Sequence, residues 1–166
     1  MASLRVLAAG LSTLGLGLTL AACAPSPGAG TPGGVGYESV IAAVVAAESD
    51  AGGRAFEVEI EGETARVHVA VDARDVEVEV EVAGPTVTNR HDDGELEADD
   101  RAALDAASTS LADGVRIAAA AHGRDRGVAE VGVQTTDRTA AWKVEFTDGG
   151  EVAVAVSDGT IVRADD

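Results

Sequence analysis

The chain of 166 residues carries 29 Asp and Glu against 12 Lys and Arg, a formal net charge of −17. That balance excludes nucleic acid and anionic lipid headgroups as docking partners, because both repel it, and leaves solubility, cations or basic partners as what the charge serves. A single cysteine excludes an internal disulfide framework.

The chain opens Met1-Ala2-Ser3-Leu4-Arg5, and one positive charge leads into an apolar run from Val6 to Ala22. The run is rich in Gly, Ser and Thr and falls short of a membrane span, which needs about 20 strongly apolar residues. A charged start, an apolar centre and a small-residue exit make the layout of a secretory signal. The exit, Leu20-Ala21-Ala22-Cys23, resembles the bacterial lipobox. The resemblance implies diacylglyceryl transfer to the Cys23 thiol, cleavage after Ala22, and palmitate-type chains holding the protein on the extracytoplasmic face of a cell membrane. Each buried CH₂ contributes about 0.8 kcal/mol, so two or three chains anchor far more firmly than one. Loss of residues 1–22 removes Arg5 and no acid, which leaves the mature chain at −18. The alternative, an ordinary secretory signal, leaves the unpaired thiol of Cys23 without a role.

Residues 23–36 are dominated by Pro and Gly and read as a flexible tether. Residues 37–50 follow with helical spacing, in which Val40, Ile41, Val44 and Val45 form the stripe and Gly52-Gly53 the stop. Three period-two runs come next: Phe56, Val58 and Ile60; Val67, Val69 and Val71; Val76, Val78, Val80 and Val82. Glu57, Glu59, Glu61, Arg66, His68, Glu77, Glu79 and Glu81 alternate with them, the pattern of an antiparallel sheet covered on one side. Gly84-Pro85 breaks the third run, and Thr86-Val87-Thr88 adds a short fourth strand. The acidic stretch 92–99 reads as a solvated linker. A second helical pattern spans residues 101–122, either as one helix or as two broken near Asp113-Gly114. Strands return around Val131 and Val133, Trp142 to Phe146, Val152 to Val156, and Ile161-Val162.

The two halves share one plan. Val67, Val69 and Val71 lie over Trp142, Val144 and Phe146 at an offset of 75, as do Gly84 and Val87 over Gly159 and Val162, with one residue of slip in the turn before Val152. A period of this length implies two copies of one unit. The second copy, a helix followed by AAWKVEFTDGGEVAVAVSDGTIV, resembles the PepSY family: an aromatic-led alternating strand, a Gly turn, a second alternating strand, then Gly and an apolar pair. Trp142 stands where the family usually has Tyr, and Ser157-Asp158-Gly159 makes a shorter turn than the family's. The resemblance implies an α+β fold of two repeats, each a helix packed on a small antiparallel sheet. The repeats occupy 37–91 and 100–166, with 92–99 as linker. It also implies an inhibitory or regulatory binding role outside the cytoplasm, and it supplies no catalytic residues.

The sequence contains no Gly-x-Ser-x-Gly, phosphate loop, CxxC or HExxH. His68, His91 and His122 are far apart, His91 reads as part of a surface loop, and the acids after it miss the spacing of a calcium loop. No catalytic residue, cofactor or metal ligand is therefore assigned, and a non-enzymatic module is expected. The candidate docking face is Glu57, Glu59, Glu77, Glu79 and Glu81, suited to a basic protein or peptide. The alternative function is a lipid or small-ligand carrier with an apolar cavity between helix and sheet.

Overall fold

The computed structural model describes residues 34–136 and 138–165. The signal, Cys23 and the tether as far as residue 33 lie outside them. The chain forms β1 (Val35–Gly36), α1 (Tyr37–Ala51), β2 (Arg54–Glu61), β3 (Thr64–Val71), β4 (Arg74–Glu81) and β5 (Thr86–Glu95). Then come α2 (Ala98–Ala106), α3 (Leu111–His122), β6 (Gly127–Thr136), β7 (Thr139–Phe146), β8 (Glu151–Ala155) and β9 (Ile161–Asp165). The fold is α+β, with three helices and nine antiparallel strands among the described residues.

Each half is a helix followed by a four-stranded meander, as the alternating valines require. The two meanders do not stay apart as two small sheets. They join edge to edge through β2 and β6, giving one sheet in the order β5-β4-β3-β2-β6-β7-β8-β9, with β1 also paired to β6. The register carries the repeat. Val58 pairs with Val67 in the first half, and Val133 pairs with Trp142 in the second, the same pair displaced by 75. That displacement also carries Glu57 onto Gly132, and these two are themselves cross-strand partners. The junction is therefore a local two-fold axis through the Glu57–Gly132 pair.

The apolar side chains of both meanders point to one face. Val58, Val67, Val69, Val78, Val80, Val131, Trp142, Val144 and Val154 are fully buried there. α1 covers β3 and β4, α3 covers β7 and β8, and the two helices touch each other over the junction. The inner stripe of α1 is Val40, Ala43, Val44, Ala47 and Ala51. Val45, expected in the stripe, is 54% exposed; the small alanines face inward instead.

Four further expectations change. The tether does not run free to residue 36, because Val35 pairs with Val128 and Gly36 with Gly127. The acids at 92–95 are not linker: β5 is a ten-residue edge strand that continues to Glu95. His91 is in that strand rather than in a loop. The second helical segment is indeed two helices, but the break falls at 107–110 and not at Asp113-Gly114. Ser110 caps α3, its hydroxyl accepting the Asp113 backbone N–H at 3.1 Å, while the Ser108 and Thr109 N–H groups donate to the Val156 carbonyl. Gly114 stays inside α3 for a packing reason: a Cβ there would lie 2.7 Å from Cδ1 of Trp142. Trp142 is buried as its strand position required, with the indole N–H donating to the Thr109 carbonyl at 3.1 Å.

Candidate binding face

The other face of the sheet is polar, and its residues fall into rows because antiparallel pairing sets side chains of one face opposite each other. One row reads His91, Glu77, His68, Glu57, Gly132, Lys143, Ala153 and Arg163 across β5, β4, β3, β2, β6, β7, β8 and β9. The next reads Asn89, Glu79, Arg66, Glu59, Glu130, Glu145, Glu151 and Asp165. Six of those eight positions are acids, so the acidic face does not end at the first meander. It continues across the junction through Glu130, Glu145 and Glu151, which the sequence reading left out. Glu61 and Glu81 flank Thr64 in a third row.

All five proposed docking residues thus lie on one face: Glu57 and Glu77 on either side of His68, Glu59 and Glu79 on either side of Arg66, and Glu81 beyond. Among the bases on this face, Arg66 donates to Glu59 and Glu61 at 2.5 Å each, Lys143 to Glu145 at 2.5 Å, and Arg163 pairs with Glu151 at 3.5 Å and with Asp165. Each base is matched by nearby acids, so the face remains negative overall.

α2 closes one end of the face. Arg54 donates to the Leu104 carbonyl at 2.7 Å, and Arg101 to the Leu96 carbonyl at 3.1 Å. This sets Asp100, in the first turn of α2, within electrostatic reach of His68, Asp75 and Glu57. Burial raises the Glu57 carboxyl above the ordinary carboxylate range; His68 pulls it down, and Glu59, Glu130 and Asp100 push it further up. Burial likewise raises Asp100, with Glu97, Asp75 and Asp99 adding to the effect and His68 opposing it.

Two histidines that sequence spacing kept apart meet here. His68 Nδ1 lies 2.9 Å from Asp75 and its Nε2 3.7 Å from Glu77. His91 Nδ1 lies 3.5 Å from the other oxygen of Glu77 and its Nε2 3.8 Å from Asp93. Ligand atoms of His68, Glu77 and Asp93 all fall within 4.8 Å of one another. The meander register predicts the His68–Glu77 pair; what was missed is that β5 continues past Thr88 and brings His91 alongside. His122 is elsewhere, stacked on Phe146 with centroids 4.3 Å apart and 3.0 Å from Asp148.

The space between helices and sheet is filled by Val40, Val44, Leu111, Val115 and Trp142, each at most 1% exposed. A cleft of about 440 Å³ lies outside that core, beside α2 and the β6–β7 turn, with Asp99, Ala102, Thr135 and Arg138 among its walls. Its mixed lining is unlike the apolar cavity a lipid carrier needs. No described helix is long and apolar enough to cross a membrane.

No protein-family model and no curated protein sequence matches the chain. Two solved structures show limited similarity. One is a protein from Clostridium difficile 630 with a provisional lipoprotein designation, 14% identical, covering 80% of this chain and 93% of that one at a TM-score of 0.44. The other is a BLIP-like protein from Bacteroides fragilis NCTC 9343, also 14% identical, covering 75% of this chain and 84% of that one at a TM-score of 0.27. Similarity at this level assigns neither family nor function to this chain.

Proposed function

We propose that the protein is a non-enzymatic, lipid-anchored binding module of the extracytoplasmic membrane face, built from two PepSY-like copies, and that its open sheet face docks a basic protein or peptide. One observation carries the reading: the acidic row Glu79, Glu59, Glu130, Glu145, Glu151 and Asp165 runs across both halves of one continuous sheet, with Arg66 as the one base within it. A face of one sign attracts a partner of the other and aligns it, and sets association rate and specificity more than affinity. The sheet fixes these carboxylates on rigid backbone, with α1 and α3 on the far side. Cys23 supplies the anchor.

The test places a photo-crosslinking residue at Thr64, between Glu61 and Glu81 on the open face, in cells carrying the intact lipoprotein. The expected outcome is capture of a basic protein or peptide, lost when Glu79, Glu130 and Glu145 become Gln and weakened at least tenfold by raised salt. Equal capture by the neutralised face sinks the docking reading. The anchor is tested separately: Cys23→Ser should accumulate as unprocessed precursor or be released from the membrane, and processing and fractionation like the parent would refute lipidation.

A further inference from the structure

We propose that His68, Glu77, His91 and Asp93 form a binding site for a divalent transition ion of the zinc class, with Asp75 as the residue that orients His68. The sheet itself builds the site. His68, Glu77 and His91 occupy one row on three adjacent strands, in the order β3, β4 and β5. Asp93 follows His91 by two residues, at the bulge where Val76 pairs with Asp92 and Asp75 with Gly94. Asp93 therefore has no cross-strand partner in the ladder. Its neighbour Asp92 is held by Arg74 at 2.5 Å, which leaves Asp93 as the acid turned to the histidines.

The spacing suits a metal better than it suits hydrogen bonding. Ligand atoms of His68, Glu77 and Asp93 lie within 4.8 Å of one another, and His68 Nε2 to Glu77, at 3.7 Å, exceeds an ordinary hydrogen bond. Nitrogen and oxygen ligands about 2 Å from a tetrahedral ion stand about 3.4 Å from one another, so these three close on an ion by contraction. His91 faces Glu77 through Nδ1 at 3.5 Å and Asp93 through Nε2 at 3.8 Å, and would join as the fourth ligand by turning one of the two nitrogens to the ion.

The outer contacts point the same way. His68 Nδ1 sits 2.9 Å from Asp75 and takes the role of donor to it, which directs Nε2 at Glu77. A carboxylate behind a histidine in this way fixes the tautomer and ring angle of metal-binding histidines. Phe56 packs against the His68 ring at 5.9 Å between centroids, and Glu77 is 9% exposed, so two of the four ligands are held in place before any ion arrives. Two imidazoles among the four ligands favour zinc-class ions over calcium and magnesium, which prefer oxygen alone. The site shares Glu77 with the docking face but does not depend on the docking reading, whose argument rests on the neighbouring row.

The experiment titrates Zn²⁺ alone into the intact protein in detergent, stripped beforehand with a chelator, and follows it by calorimetry. One equivalent should bind. His91→Gln and Glu77→Gln should each weaken binding at least tenfold, and His122→Gln should leave it within twofold of the parent. Asp75→Asn should weaken it 10- to 100-fold. It should also change the His68 tautomer seen by ¹⁵N shifts, which a purely structural role would not. Co²⁺ should give a visible tetrahedral spectrum that Zn²⁺ displaces. If Glu77→Gln unfolds, the half-exposed His91→Gln decides. Absence of saturable binding, equal affinity for Ca²⁺, or His91→Gln binding within twofold of the parent overturns the site.

Discussion

Gly114 and Trp142 show how one contact can overrule a local rule. A glycine inside a helix weakens it by about 1 kcal/mol relative to alanine, which is why the sequence suggests a break there. In the fold the indole takes the space a Cβ would fill, at 2.7 Å. Gly114→Ala should therefore destabilise by about 1–3 kcal/mol through overpacking, despite the better helix former. Denaturant unfolding checks this. Trp142→Ala should cost about 3–5 kcal/mol, the usual range for a buried large aromatic. The burial of Trp142 was legible from period-two alternation; the need for Gly114 was not, because it arises between residues 28 apart in the chain.

Glu57 gives a pH prediction at the same scale. Its folded-state carboxyl is raised by burial, so the folded state holds its proton to higher pH than the unfolded state. In that window the native chain binds more protons, and stability falls as pH rises through the ordinary glutamate value toward the folded one. Glu57→Gln should then be more stable than the parent at pH 7 and equal to it near pH 3, where both states of the parent are protonated. Asp148 has the opposite sign. The hydrogen bond to His122 holds its carboxyl below the usual range, helped by the Gly150 N–H and by Arg126 and opposed by desolvation. That contribution is present above the ordinary aspartate value and is lost as pH falls through the folded one. Urea midpoints across pH for the parent and Glu57→Gln separate the two.

At the scale of elements, alternation named β2, β3, β4, β7 and β8 and the face each presents, because a half-covered sheet writes its burial directly into the sequence. Edge strands carry no such signature. β5 is exposed along most of its length, and its acids from Asp92 to Glu95 read as linker for that reason. The charges that hide it also protect the sheet edge from further pairing. β9, with Ile161 and Val162 exposed, is shielded only by Arg163 and Asp165. The α2–α3 break was legible only as a doubt about helix length. Its cause is the Ser110 cap together with the Val156 carbonyl, and only the cap is local. Ser110→Ala should cost about 1 kcal/mol in thermal or denaturant unfolding.

The whole molecule depends on a junction that no local pattern announces. β2 and β6 are separated by the rest of the first meander and two helices, and neither carries a mark that names the other. Only the offset of 75, read together with the observed register, shows that the join is nearly self-complementary. A true copy would set Glu57 against a second glutamate on the axis, between Glu59 and Glu130 in the next row. The second half has Gly132 there instead. Its Cβ position is open, the nearest atom being Glu57 Cγ at 3.9 Å, so side chains can be added at this point without a clash. Gly132→Ala should stabilise by about 0.5–1 kcal/mol, since glycine weakens a strand interior by about that much relative to alanine. Gly132→Lys gains Glu57 on one side and meets Lys143 on the other, and Gly132→Glu the reverse, so these direct pairs of about 0.2–1 kcal/mol each offset one another. The acids of the next row, Glu59, Glu130 and Glu145, then decide, and the expected order at pH 7 places Lys above Glu. The gap between the two should shrink near pH 3, once the carboxyls are protonated, and with added salt. Equal stability of the Lys and Glu variants at low salt and neutral pH would mean that charge does not act across the junction.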